Sequence, residues 1–291
     1  MRFVRSKLED GAKLLLEHEK QLISVSDLLN VRDRTIDLSD IFDKIDEIRI
    51  GLKRGNYSVE PSGEISYAPS VGNPDKILCV GLNYVAHIEE TKKEVPKYPV
   101  LFSKFGNSLA GNKEDIPIPL DNLKVDYEGE LGVIMGKNAY RVSEAMALEY
   151  VFGYYVGNDV SSRELQYRTS QYLLGKSLDK FYPNGPAVVT RDEIPDPQAL
   201  NIKTYVNGEI RQNSNTSKMI FPVSKLISYI SSFITLNPGD VISTGTPDMV
   251  IMGMPEEKRK WLKNGDIVKV SIENIGTLEN KFVEVEKTII T

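Results

Sequence analysis

The chain has 291 residues, 41% hydrophobic and 26% charged, enough apolar material for one sizeable core with a smaller appendage. A net charge of -5 and a pI near 5.4 disfavour a nucleic-acid partner, because phosphate binding draws on clustered Lys and Arg, and the lysines here are scattered. One cysteine and two histidines, His18 and His87, exclude an internal disulfide, a cysteine-built zinc or iron–sulfur centre and any His-rich metal site.

Met1 to Lys13 carries charge throughout and lacks the apolar stretch of a signal peptide. Nothing approaches a membrane-spanning length, so a soluble, cytoplasmic protein is expected. Ala12 to Leu16 and Leu38 to Ile48 look helix-like, among many charges and no cluster of catalytic groups. Turn formers at Pro61-Ser62-Gly63 and from Pro69 to Pro74 make a linker. They divide the chain into a small N-terminal domain, 1–73, and a larger one, 74–291.

Short strand signals dominate the larger part. Lys76 to Leu82 is a compact apolar run in which Cys79 reads as a buried, inert thiol, and Pro99 to Lys104 is another such run. Tyr127 to Met135 alternates, and Val151 to Val156 is aromatic and β-branched. Ile202, Thr204 and Val206 alternate into Asn207-Gly208, the pair favoured by a type I′ hairpin turn because both positions need positive φ. Ser224 to Ile234 has helical spacing, and Asn237-Pro238-Gly239-Asp240 launches a strand at Val241 to Thr244. Ile267 to Ile272 and Phe282 to Val285 alternate again, so the fold class is α+β, mainly β.

The chemistry concentrates at Asp126-Tyr127-Glu128-Gly129-Glu130. On a strand Glu128 and Glu130 point the same way, roughly 7 Å apart, and Gly129 between them lets another part of the chain approach closely. Two such carboxylates repel each other unless a cation, a proton or a basic group lies between them. Alone, the pair reads as an exposed turn. A third carboxylate shifts the balance: Asp159 closes the Val151 strand at a strand-to-helix corner, where Ser161 and Glu164 have the spacing of a capping box. Three carboxylates without cysteine describe an oxygen-only site suited to Mg²⁺ or Mn²⁺, with Ca²⁺ as an alternative, and disfavour zinc.

If the segment after the first strand turns helical, His87 and Glu90 share a face, with Glu89 toward solvent. The carboxylate would fix the imidazole tautomer and make its other nitrogen a better base; the alternative is an exposed histidine on a charged helix. Lys176, in Gly175-Lys176-Ser177, is either solvated or set beside an anionic intermediate. Arg163 and Gln166 have the same two options, and Thr246 could offer a hydroxyl and a backbone N–H to a carboxylate.

Taken together, Cys-Val-Gly-Leu-Asn-Tyr (79–84), Asp-Tyr-Glu-Gly-Glu-Leu (126–131), Asn-Asp-Val-Ser-Ser-Arg-Glu-Leu-Gln (158–166), Gly-Lys-Ser-Leu-Asp (175–179) and Ser-Thr-Gly-Thr-Pro (243–247) resemble the fumarylacetoacetate hydrolase family over roughly residues 75 to 285. The resemblance implies a mixed β-sandwich roll, a homodimer, and a metal held at Glu128, Glu130 and Asp159. It implies that Lys176 contacts substrate, that Gln166 lies in the pocket and that Thr246 helps bind the substrate's carboxylate end. His87 and Glu90 match the dyad of the branch that cleaves acylpyruvates and decarboxylates oxaloacetate.

The expected activity is therefore metal-dependent hydrolysis or decarboxylation of a small 2-keto or 2,4-diketo acid through an enolate, with His87–Glu90 deprotonating water when hydrolysis occurs. The rivals are an isomerase or hydratase of a 2-hydroxy-dienoate, which needs no water-activating dyad, and a non-catalytic cation-binding protein. Met249 and Ile251 stand where the family often has glycine; Tyr182, Asn184 and Phe105-Gly106-Asn107 depart as well. These departures suggest a substrate other than fumarylacetoacetate, such as a sugar-derived 2,4-diketo acid.

Overall fold

Leu14, Leu15 and Leu16 are all buried, and this consecutive run shapes the N-terminal architecture. In the computed structural model, which describes residues 1–31, 36–60, 65–91, 94–119 and 123–285, they lie in a strand and not in the expected helix. Leu14 and Leu16 pack into one apolar cluster and Leu15 into another, so three successive leucines serve both faces of a sheet. Leu38 to Ile48 is divided: a short 3₁₀ turn, Leu38–Ile41, is capped by Asp37, and a helix α1 spans Ile45–Arg54. The turn formers at 61–63 lie outside the described residues.

In chain order the strands used below are β1 (Arg2–Leu8), β2 (Gly11–His18), β3 (Gln21–Ser24), β4 (Ile77–Gly81), β5 (Val100–Lys104), β6 (Ile116–Ile118), β7 (Gly129–Met135), β8 (Val151–Asn158), β9 (Val188–Thr190), β10 (Asn201–Val206), β11 (Glu209–Asn215), β12 (Val241–Ser243), β13 (Ile267–Ile272) and β14 (Gly276–Glu284). Nine form one sheet in the order β3-β2-β1-β9-β8-β7-β12-β4-β5, in which only β12 and β4 run parallel. Five form a second sheet, β11-β10-β13-β14-β6. Asn207 and Gly208 take φ of 52° and 83°, as the hairpin between β10 and β11 requires.

Leu131, Val133 and Met135 of β7 face a core shared with Ile202, Val270, Ile272 and Leu278 of the second sheet. The two layers approach closely at Gly129, where a Cβ would sit 2.3 Å from the Thr204 hydroxyl oxygen and 2.9 Å from a Val270 methyl. Ile134, on the other face of β7, belongs to a second core with Cys79, Phe152 and Tyr155 and with Phe3, Leu14, Ile23 and Ile48. Residues 1–73 thus contribute three strands to the edge of the large sheet, through β1 and β9, and share a core with its centre. Among the described residues no helix is long and apolar enough to cross a membrane.

Candidate active site

Three segments meet at the ends of the central strands. β7 begins at Gly129, so Glu128 and Glu130 flank its first residue. Asp159 follows β8, and its N–H donates to the Glu128 carbonyl at 2.8 Å, which locks the two strand ends together. Ligand atoms of Glu128, Glu130 and Asp159 all lie within 4.8 Å of one another, and all three residues are buried.

Ser161 and Glu164 do not form the expected capping box. Ser161-Ser162 pairs as a short extended segment with Val125-Asp126, the Ser161 hydroxyl donates to the Asp159 carbonyl, and the helix α3 (Arg163–Gln166) starts after Ser162 without a side-chain cap. The extended pairing uses the backbone that a capping box would have needed. A second short helix, α4 (Leu173–Lys176), packs on α3 through Gly175, where a Cβ would meet the Gln166 nitrogen at 2.4 Å.

Three buried cations surround the carboxylates. Lys176 Nζ lies 2.6 Å from Glu128 Oε2 and 2.7 Å from Asp159 Oδ2, and Lys104 Nζ lies 2.6 Å from Asp159 Oδ1. Arg163 spans Asp126 at 2.8 Å and Glu128 at 2.6 Å, and its Nη1 donates to Gln166 Oε1 at 2.9 Å. Lys104 and Asp126 belong to this cluster although their sequence positions do not announce it. Lys104 is the one charge that closes the apolar run Val100 to Ser103, and Asp126 heads the acidic motif itself; neither pattern distinguishes a site residue from a surface one.

The charges sort the carboxylates. Burial opposes ionisation of Glu128, but Arg163 and Lys176 outweigh it and hold this group well below the usual carboxylate range. Burial, then the charges of Asp159 and Glu128, push Glu130 up to about 8. Glu130 has no ion-pair partner among the described residues; the Ser243 hydroxyl and the Gly245 N–H donate to its Oε2. Burial pulls Lys104 down, while Asp159 and Glu128 overcome burial and raise Lys176. The cluster therefore holds one buried carboxylate beyond what its three cations neutralise. An oxygen-only donor set with one carboxyl group left without a cation, its proton exchangeable for a metal, fits a hard divalent ion, and Lys176 Nζ, bridging Glu128 and Asp159, marks where positive charge is favoured.

The helix α2 (Val85–Thr91) supplies the dyad. His87 Nδ1 and Glu90 Oε1 are 2.8 Å apart, and Glu90 Oε2 accepts the Met249 N–H at 2.9 Å. A carboxylate at Nδ1 selects the tautomer in which Nε2 is the basic nitrogen. Gly253 makes room for Glu90, since a Cβ there would lie 2.3 Å from the carboxyl carbon. Met249 adopts φ 69°, the left-handed region that favours glycine, and Ile251 is buried with its N–H on Asp126.

A cleft brings His87, Glu128, Glu130, Arg163, Gln166, Lys176 and Thr246 together, walled by Phe102, Tyr167, Tyr172, Val250 and Met252. Asp159 lies behind Lys176 and Glu90 behind His87. The Thr246 hydroxyl is already engaged: it donates to the Gly129 carbonyl and accepts from Gln212 Nε2, both at 2.9 Å. Of the divergent positions, Tyr182 is buried beneath Lys104, Asn184 anchors Ser70 and Val71, and Phe105 is exposed.

The family model described as the fumarylacetoacetate (FAA) hydrolase C-terminal region matches residues 76–283. The chain belongs to the fumarylacetoacetate hydrolase family. A rat (Rattus norvegicus) protein named oxaloacetate tautomerase Fahd2a, mitochondrial, is 44% identical over 224 residues, 77% of this chain and 71% of that one. Among solved structures, a fumarylacetoacetate hydrolase from Exiguobacterium antarcticum superposes with a TM-score of 0.80 at 34% identity, covering 98% of this chain and all of that one. A maleylpyruvate hydrolase from Sphingobium in complex with manganese(II) and pyruvate has the same TM-score at 25% identity and the same coverage. The family's β-rich fold is the one described above.

Proposed function

We propose that this protein is a divalent-cation-dependent enzyme that interconverts the enol and keto forms of a short 2-keto acid such as oxaloacetate. The observation that carries this reading is one cleft lined by His87, Glu128, Glu130 and Lys176, with Asp159 paired to Lys176 and Glu90 to His87 from behind. The rat tautomerase supports the substrate class, and the manganese-bound Sphingobium structure supports the cation.

Glu128, Glu130 and Asp159 would hold Mg²⁺ or Mn²⁺. When bound, the cation supplies Lewis-acid polarisation of the keto group. His87 Nε2 takes a proton from the carbon next to that group; the C–H electron pair becomes the C=C bond of the enolate, and the former keto oxygen acquires the negative charge and then a proton. The reverse sequence returns the keto form. Glu90 holds the imidazole through Nδ1 and stabilises its cationic form. Lys176 sets an ammonium beside the developing negative charge. Gln166 accepts Arg163 through Oε1, which directs its NH₂ donor to a substrate carboxylate.

A second reading keeps the expected C–C hydrolysis, with the same dyad deprotonating water; the maleylpyruvate hydrolase likeness favours it. Both routes pass through an enolate, so one assay separates them. The decay of enol-oxaloacetate absorbance and the cleavage of acetylpyruvate would be followed with Mg²⁺ or Mn²⁺ and again after EDTA. Metal-dependent acceleration of the first alone supports tautomerisation, and of the second alone supports hydrolysis. Activity on neither would overturn both.

A further inference from the structure

The protein treats the two oxygens of each carboxylate in the triad differently. Lys104 Nζ holds Asp159 Oδ1 at 2.6 Å, and Arg163 Nη2 lies 2.6 Å from Glu128 Oε1. The Ser243 hydroxyl and the Gly245 N–H both donate to Glu130 Oε2. Lys176 Nζ takes the other oxygen of two of them, Asp159 Oδ2 at 2.7 Å and Glu128 Oε2 at 2.6 Å. One oxygen of every carboxylate is thus tied to a donor other than Lys176.

Those donors are anchored by contacts of their own. The Lys104 side chain is fully buried away from the cleft and also donates to the Val160 carbonyl at 3.2 Å. Arg163 is tied to Asp126 and Gln166 as well, and Ser243 lies in β12, between β7 and β4. Lys176 differs: it lines the cleft, and beyond its two carboxylates its ammonium faces the Phe102 ring, 5.0 Å from the centroid. A carboxylate held in this way offers an incoming cation one oxygen. Turning the second one inward would strand a buried ammonium, guanidinium or N–H, at the cost of a broken buried pair.

Mg²⁺ demands near-octahedral geometry and keeps several waters, so single oxygens from three carboxylates suit it. Ca²⁺ gathers more oxygens at longer distances and often takes both from one carboxylate. We infer that Lys104, Arg163 and the Ser243–Gly245 pair set the ion preference of the site, holding each carboxylate to single-oxygen ligation and so favouring Mg²⁺ over Ca²⁺. Lys104 is the decisive member, because among the described residues it alone holds Asp159 Oδ1. It is a positioning residue, acting through Asp159 without reaching the cleft. This inference rests on the proposed metal role of the triad and names the ion it selects.

The test loads the full-length protein with Mn²⁺, reads the free ion by electron paramagnetic resonance, and displaces the bound ion with MgCl₂ or CaCl₂; no turnover is involved. Wild-type protein is expected to release Mn²⁺ at lower Mg²⁺ than Ca²⁺. Lys104→Met frees Asp159 Oδ1 and should shift the ratio of the two half-displacing concentrations toward Ca²⁺ at least about tenfold, the scale on which a group behind a metal ligand is felt. Losing the ammonium's charge acts on both doubly charged ions alike and cancels in that ratio, so the ratio reports ligation. Ser243→Ala loosens Glu130 Oε2, which Gly245 still holds, and should move the ratio the same way by less. If Lys104→Met does not fold, Ser243→Ala decides alone. Equal displacement by the two ions from wild type would overturn the inference, as would a wild-type ratio in the deciding variant. Wild-type protein that binds no Mn²⁺ removes the metal reading and the inference together. Mn²⁺ binding abolished by Asp159→Asn, beside a wild-type ratio in Lys104→Met, removes only the inference.

Discussion

Glu90 holds His87 with one carboxylate oxygen and the backbone of Met249 with the other, at 2.8 and 2.9 Å. The residue that orients the proposed base therefore also ties down the loop that walls the cleft. Replacing His87 by Ala should lower kcat for enol–keto conversion by about 10²- to 10⁴-fold, the usual worth of a positioned acid–base group. Glu90→Gln should cost less in kcat, because the imidazole remains. It should also raise KM, because the amide cannot accept from both the ring N–H and Met249 without turning its NH₂ toward one of them. Initial rates over a range of substrate concentrations separate the two effects; equal kcat losses with unchanged KM would count against the dual role.

Cation binding should be visible without turnover. Metal that binds only the folded state raises its stability, by about 2.7 kcal/mol at a hundred times Kd. Thermal melting with and without Mg²⁺ or Mn²⁺ should show an upward shift in the wild-type protein and none in Asp159→Asn or Glu130→Gln. Those two variants should also behave differently without metal. Glu130→Gln removes the surplus buried carboxylate and should melt no lower than wild type, whereas Asp159→Asn strands Lys104 and part of Lys176 and should melt lower.

Glu128 and Glu130 were legible as a pair because alternation along one strand sets them on one face, whereas Asp159, at the end of the next strand of the sheet, joined them only through its own strand-end setting and the resemblance; the structure brings the three together. The dyad, like the glutamate pair, was legible from local spacing, since three residues on a helix make a pair. The cations that neutralise the cluster were not: Lys104 ends β5, the edge strand that β7, β12 and β4 separate from β8, and it lies 55 residues from Asp159, so its burial follows only from the fold. Local reasoning failed at Leu14 to Leu16, where a run of three apolar residues suits a helix or a strand buried on both faces, and pairing with β1 and β3 decided the outcome. The capping box failed because Ser161 and Ser162 find extended partners at Val125 and Asp126, a contact across more than thirty residues.

Asp126 is a structural anchor beside the triad. Fully buried, it binds the Arg163 guanidinium and accepts the N–H groups of Ile251 and Met252 at 2.9 and 3.0 Å. Asp126→Asn keeps the shape but removes the charge and replaces an acceptor with a donor among donors. Breaking a buried ion pair of this kind costs about 3–5 kcal/mol, so denaturant unfolding should show a loss in that range. Glu128 still faces Arg163 in the variant, so the loss should fall toward the lower end. A loss under about 1 kcal/mol, the worth of an exposed pair, would mean that solvent reaches Asp126.

Gly175 offers the last test, because it converts a packing distance into a functional one. A Cβ there would stand 2.4 Å from the Gln166 nitrogen and 2.6 Å from the Ser162 carbonyl oxygen, both of them backbone atoms that cannot rotate away. Gly175→Ala must therefore push α4 off α3, and overpacking of this kind typically costs about 1–3 kcal/mol. The adjacent residue is Lys176, whose two ion pairs at 2.6 and 2.7 Å leave no room for such a shift. Activity should consequently fall further than stability alone accounts for: at a temperature where the variant is fully folded by circular dichroism, kcat should still be reduced at least about tenfold, the scale on which a misplaced catalytic group is felt. A folded Gly175→Ala protein with wild-type kcat would show that Lys176 tolerates displacement, and would shift the charge-stabilising role to Arg163.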